Sequence, residues 1–91
     1  MDPTTVDTPH RRQAAGINRL TTRERDVLRS MAEGQTNSAI ARRLFVSTKT
    51  IEVHVARIFD KLGIYQEKDL NRRVLAVIRW LHQDLHAGAA G

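Results

Sequence analysis

From Leu20 to His86 the apolar residues recur three and four apart, as they do along helices, and no segment alternates as a strand would. The pattern predicts an all-α fold of four helices. In the first, Val27, Leu28 and Met31 share a face. Thr21 followed three residues on by Glu24 has capping-box spacing, and Gly34 is placed to end the helix in the left-handed conformation. The second is short, with Thr36 as its N-cap and Ile40, Ala41 and Leu44 inward. A tight turn at Phe45 and Val46 separates it from the third, which Ser47 caps and Gly63 ends. The fourth is expected from near Lys68 to about His86. Two helices joined by so tight a turn form either an αα-hairpin or a helix-turn-helix.

The third helix carries the informative pattern. At about 100° per residue, Val55, Ile58 and Leu62 fall within about 40° of Ile51, a narrow stripe that must pack on the first two helices. Lys49, Val53, Ala56 and Asp60 point the other way, with Glu52 and Arg57 on the flanks. A face made only for water would be uniformly charged. Here small apolar groups stand between polar ones, a mixture that can touch thymine methyls and base edges in a major groove. The helix starts add to this. Thr48, Lys49 and Thr50 on the third helix, Thr36 and Asn37 on the second, and Thr22 and Arg23 on the first sit where free N–H groups and the helix dipole favour phosphate. Capping also accounts for residues of this kind, and is the role expected of Thr21 and Ser47.

Composition narrows the classes. The chain has 91 residues, one domain by length, and a net charge of +5, an excess that suits a polyanionic partner. There is no cysteine, so disulfides and thiolate metal sites are excluded. The longest apolar run, Val74 to Ile78, is far short of the roughly 20 residues a membrane helix needs, and no signal-peptide core is present, so a cytoplasmic location is expected. Pro3, Pro9 and Gly16 mark residues 1–19 as an arm or linker, the domain proper is expected over 20–86, and residues 87–91 form a tail.

The run LTTRERDVLRSMAEGQTNSAIARRLFVSTKTIEVHVARIFDKLGI resembles the LuxR/FixJ-type (GerE-like) helix-turn-helix domain found in response-regulator output domains. The resemblance rests on the LTxRExxVL opening, the spacing of Ala32, Gly34 and Asn37, Ile40–Ala41, Ser47, the step Thr50–Ile51–His54, Ile58, and Lys61–Leu62–Gly63. It implies that the second and third helices form the helix-turn-helix, that the fourth mediates dimerisation, and that the protein regulates transcription by binding two-fold-related DNA half-sites. RNA polymerase is a further candidate partner. In several members bases are read from positions matching Glu52, Val53, Ala56 and Arg57. Some well-understood members carry Lys at the positions of Glu52 and Ala56. The acidic and small residues here mean that the target sequence cannot be borrowed from them. Glu52 can accept from cytosine N4, Arg57 is the candidate for guanine or phosphate, and Lys49 and Lys61 are candidates for phosphate. His54, at the edge of the stripe, is expected to pack and make one hydrogen bond. Family members normally carry a regulatory domain ahead of this one, and 19 residues are too few for it, so the chain reads as a bare effector or as the output half of a longer regulator.

On the fourth helix Leu70, Val74, Val77, Ile78 and Leu81 are expected to form the inward stripe, with Leu75 and Trp80 outside it. This arc is wider than one small core needs. Asn71, Leu75, Ile78 and His82 are therefore the candidate contacts with the same helix of a second molecule. His82 and His86 are four apart, but no third ligand is near, so no metal site is expected. Phosphate-binding glycine loops, paired carboxylates and nucleophile–histidine arrangements are absent from the pattern, and neither enzyme activity nor a cofactor is expected. The competing reading is a helical protein–protein adaptor without DNA specificity, favoured by Glu52 and Asp60 on the exposed face.

Overall fold

A computed structural model describes residues 16–65 and 71–90. The expected arm up to residue 15, Lys68 and Leu70 lie outside the described residues, as does the last residue of the tail. The elements are α1 (Thr22–Ala32), α2 (Asn37–Leu44), α3 (Thr48–Lys61) and α4 (Arg72–Ala90), and among the described residues there is no strand. The all-α expectation holds.

Local chemistry sets the helix starts. The side chains of Thr21, Thr36 and Ser47 each accept from the backbone N–H three residues on, at Glu24, Ala39 and Thr50, so each supplies one of the partners a helix N-terminus lacks. At Thr21 the box is closed, because Glu24 Oε1 also accepts from the Thr21 N–H at 2.9 Å. The fourth helix begins at Arg72 rather than near Lys68. Asn71 is the reason: its Oδ1 accepts from the N–H groups of Arg73 and Val74 at 2.8 and 3.3 Å.

The ends of α1, α2 and α3 share one device. Gln35 N–H donates to Ser30 O, Val46 N–H to Ala41 O, and Ile64 N–H to Phe59 O, each reaching back five residues. In each case the preceding residue is left-handed: Gly34 at φ 86°, Phe45 at φ 60° and Gly63 at φ 69°. Two of these are glycine, which tolerates the conformation. The third is a phenylalanine at the turn between α2 and α3, with its ring 94% exposed.

The core joins Val27, Leu28 and Met31 of α1, Ile40 and Ala41 of α2, and Ile51, Val55 and Ile58 of α3, with Leu62 just beyond. These are the inward residues read from the periodicity, and Leu44 packs against them half-buried. Two further residues precede α1. Ile17 is fully buried and Leu20 nearly so, so the packed unit includes Ile17, assigned above to the arm. At Gly16 an added Cβ would come 3.0 Å from Leu62 Cδ2, so a larger residue there requires the end of that leucine to shift.

The expectation for the packed face of α4 holds at Val77 and fails at Val74, Ile78 and Leu81. Val74, Ile78 and Leu81 are about half exposed. Ala76 is fully buried, while Leu75, Val77 and Trp80 pack against the core. Taking Ala76 as zero, Trp80 lies about 40° away, whereas Val74, Ile78 and Leu81 lie about 140–160° away. The physical cause is size. A methyl group lets α4 approach α1 closely, and apolar residues on both faces left the periodicity without a unique answer. The helix also continues to Ala90, past His86.

Phe45 supplies a test of the turn. A left-handed L-residue costs roughly 1–2 kcal/mol, and an exposed ring offsets little of it. Phe45→Gly is therefore expected to raise stability by about 0.5–1 kcal/mol, after subtracting glycine's extra unfolded-state freedom. Denaturant unfolding of the two proteins measures this directly.

Candidate nucleic-acid interface

The stripe Ile51, Val55 and Ile58 packs α3 onto α1 and α2. Burying it turns the other side of the helix outward. Lys49, Glu52, Val53, Ala56, Arg57 and Asp60 are all exposed, Val53 by 42%. An exposed valine and alanine between a carboxylate and a guanidinium make a surface that is narrow, mixed and open. Lys49 Nζ and Glu52 Oε1 lie 3.8 Å apart with both side chains more than half exposed. Such a pair contributes little and leaves both groups available to a ligand.

The helix starts lie in solvent to different degrees. Thr22, Arg23, Thr36 and Thr48 are exposed, while Asn37 and Thr50 are half-buried. Thr36 Oγ1 accepts from Ala39 N–H at 3.1 Å, yet its hydroxyl hydrogen remains able to donate. Thr50 Oγ1 lies 2.9 Å from the Ser47 hydroxyl. Asn37 Oδ1 accepts from Arg73 Nη1 at 2.8 Å.

Lys61 has a different setting from Lys49. Its ammonium donates to Glu24 Oε1 at 2.7 Å, with the glutamate side chain 3% exposed. One carboxylate oxygen thus closes the α1 cap and anchors the last turn of α3. Burial alone would raise the Glu24 pKa. Hydrogen bonds from Lys61 and from the Thr21 N–H outweigh it and hold the carboxyl below its ordinary value. Lys61 is therefore engaged in the fold. His54 is half-buried, and its Nδ1 is buried without a hydrogen-bond partner, so the expected bond is not made through that atom.

The arginines of α4 were not singled out from sequence. Arg73 Nη2 donates to Gln35 O at 2.7 Å, and burial lowers the pKa of its guanidinium. Arg79 donates to the Leu62 carbonyl at the end of α3. The Arg72 guanidinium stands 5.1 Å from the centre of the Phe59 ring, a cation–π distance. The available signal was three arginines interrupting an apolar helix, but their acceptors are distant in sequence. Of the expected dimer contacts, Asn71 caps α4 and Leu75 packs on the core, whereas Ile78 is exposed and His82 is half-buried.

A short helix, a tight turn and a longer helix with an open mixed face define a helix-turn-helix domain of the DNA-binding transcription-regulator class. The comparisons place it more closely. Residues 18–74 match the model of the bacterial regulatory proteins of the luxR family, and the chain belongs to that family, which is non-enzymatic. It is 46% identical over 54 residues to a Mycobacterium tuberculosis protein assigned as an HTH-type transcriptional regulator, covering 59% of this chain and 6% of that protein. It is 41% identical over 68 residues to the nitrate/nitrite response regulator protein NarL of Escherichia coli, covering 75% of this chain and 28% of NarL. The Fimbriae Z protein of Salmonella typhimurium is 47% identical over 51 residues, covering 56% of this chain and 24% of that protein. The chain thus spans under a third of the length of each of these relatives. No solved structure gave a significant match. Among the described residues no helix is long and apolar enough to cross a membrane.

The Glu24 network predicts an acid limb to stability. Because the folded-state pKa is lowered, the carboxylate's contribution is fully present above the unfolded glutamate value of about 4.3. It is lost as pH falls through the lower folded value. Glu24→Gln is expected to flatten this limb and to cost about 1–3 kcal/mol at neutral pH. Thermal unfolding of both proteins from pH 7 to pH 3 reads out both effects.

Proposed function

We propose that this domain is a sequence-specific effector of transcription that lays α3 in the major groove of duplex DNA. The observation that carries the reading is the exposure of Val53 and Ala56, between Glu52 and Arg57, on a helix whose other side is buried. In this reading Arg57 reads guanine, Glu52 accepts from cytosine, and Val53 and Ala56 meet thymine methyls. Thr22, Arg23, Thr36, Asn37, Thr48, Lys49 and Thr50 grip phosphates. Lys61 has a smaller part, because its ammonium is held by Glu24.

The domain acts as a dimer on two-fold-related half-sites. The exposure of Val74, Ile78 and Leu81 supports this. Their spacing of four and three places them on one seam, which a second copy of α4 can cover isologously. Ile78 and the neighbouring Asn71 and His82 stay in the proposed contact. Leu75 is replaced by Val74 and Leu81, because Leu75 already packs inward. Half-sites would then lie about one helical turn, roughly 34 Å, apart.

Selection of bound sequences from random duplexes is expected to enrich an inverted repeat. A pool without enrichment would favour the adaptor reading instead. On the enriched site, Arg57→Ala should remove about 1–3 kcal/mol of discrimination. Lys49→Ala should weaken every duplex alike and reduce the salt slope by about one. Equal losses on specific and random DNA for Arg57→Ala would falsify its base-reading role.

Sedimentation tests the seam. Ile78→Asp is expected to shift the protein to monomer while the chain stays folded, with the melting temperature losing its dependence on protein concentration. Leu75→Asp should instead lower stability.

A further inference from the structure

The start of α2 is held by a residue that belongs to α4. Arg73 spans from Asn37 Oδ1 to the Gln35 carbonyl, at 2.8 and 2.7 Å. A guanidinium has five N–H donors and no acceptor. The Asn37 atom facing it must therefore be the amide oxygen, which leaves the amide N–H donors turned away from Arg73. Without that contact the amide could present either end. With it, Asn37 is set as a donor.

The charge of Arg73 is the second observation. Among the described residues the ion pairs join Arg29 to Asp26, Lys49 to Glu52 and Lys61 to Glu24, and none includes Arg73. Both of its recorded acceptors are neutral. The guanidinium is partly desolvated and stands beside the positive end of the α2 dipole, where a cation is disfavoured and an anion favoured. A phosphate arriving at the start of α2 would meet a field that favours it.

We propose that Arg73 is a positioning residue for the DNA backbone: it presets the Asn37 amide as a phosphate donor and thereby ties α4 to the grip of α2 on DNA. The proposal rests on the reading of the α2 start as a phosphate contact. It places a link between the helix that carries the exposed seam and the edge of the DNA-binding surface.

A double-mutant cycle tests it, with anisotropy titrations on the enriched duplex and on a random one. Asn37→Ala and Arg73→Gln are each expected to weaken both duplexes about tenfold, in line with a hydrogen bond to a charged group. The double variant should be no weaker than the weaker single variant. In the free protein, the Asn37 side-chain amide pair in a ¹H–¹⁵N spectrum should move to random-coil positions in Arg73→Gln. Melting temperatures measured alongside identify any loss of fold. If Arg73→Gln does not fold, Arg73→Lys takes its place: it keeps the charge but loses the planar pair of donors, and it should bind DNA between wild type and Asn37→Ala. Losses that add in the cycle would mean that the two residues act separately and would overturn the proposal. So would Asn37→Ala binding like wild type. A wild-type chain that binds no duplex sinks the parent reading and this one with it, whereas additive losses on a wild type that binds sink only this one.

Discussion

The arrangement depends on one constraint: the apolar edge of α3 has a single place to go. Ile51, Val55 and Ile58 can leave water only by facing α1 and α2. Once they do, helical geometry determines the opposite edge. Truncating one such residue to alanine costs about 2–5 kcal/mol, a large share of the 5–15 kcal/mol that a domain has. The outward face of α3 therefore cannot be rotated away without unfolding the unit that presents it.

A few polar anchors then fix the details that apolar packing leaves loose. Glu24 is the densest of them. It joins the first turn of α1 to the last turn of α3 through one oxygen, which fixes how far α3 slides along its neighbours. Arg79 holds the residue just past the end of α3 through the Leu62 carbonyl. Arg43 links α2 to α1 through the Ser30 hydroxyl at 2.5 Å. Each anchor ends on a backbone carbonyl, a hydroxyl or a carboxylate, so the polar groups it joins inside the fold are hydrogen-bonded.

The parts of this structure legible in the sequence were those set by near neighbours. Thr21, Thr36 and Ser47 could be recognised as caps because each acts three residues away. The faces of α1, α2 and α3 followed from period alone. The α4 face did not, because apolar residues occur all round that helix and the decision lay with the small size of Ala76. Lys61 shows the same limit at the candidate interface. Its charge pointed to phosphate, but its partner Glu24 is 37 positions earlier, and only the folded chain brings them together. Arg73 was passed over for the same reason, with acceptors 36 and 38 positions away. The outward set on α3 was legible because it is the geometric complement of a stripe that was itself unambiguous.

The separation of α4 into two sides has its own consequence. Ala76, Trp80 and the arginines attach it to the domain, while Val74, Ile78 and Leu81 stay about half exposed on the other side. Side chains on the free side can be exchanged by mutation while the interior stays intact. If a second copy covers that side, as proposed above, substitutions there would change which copies pair while the folded scaffold and the outward face of α3 stay as they are.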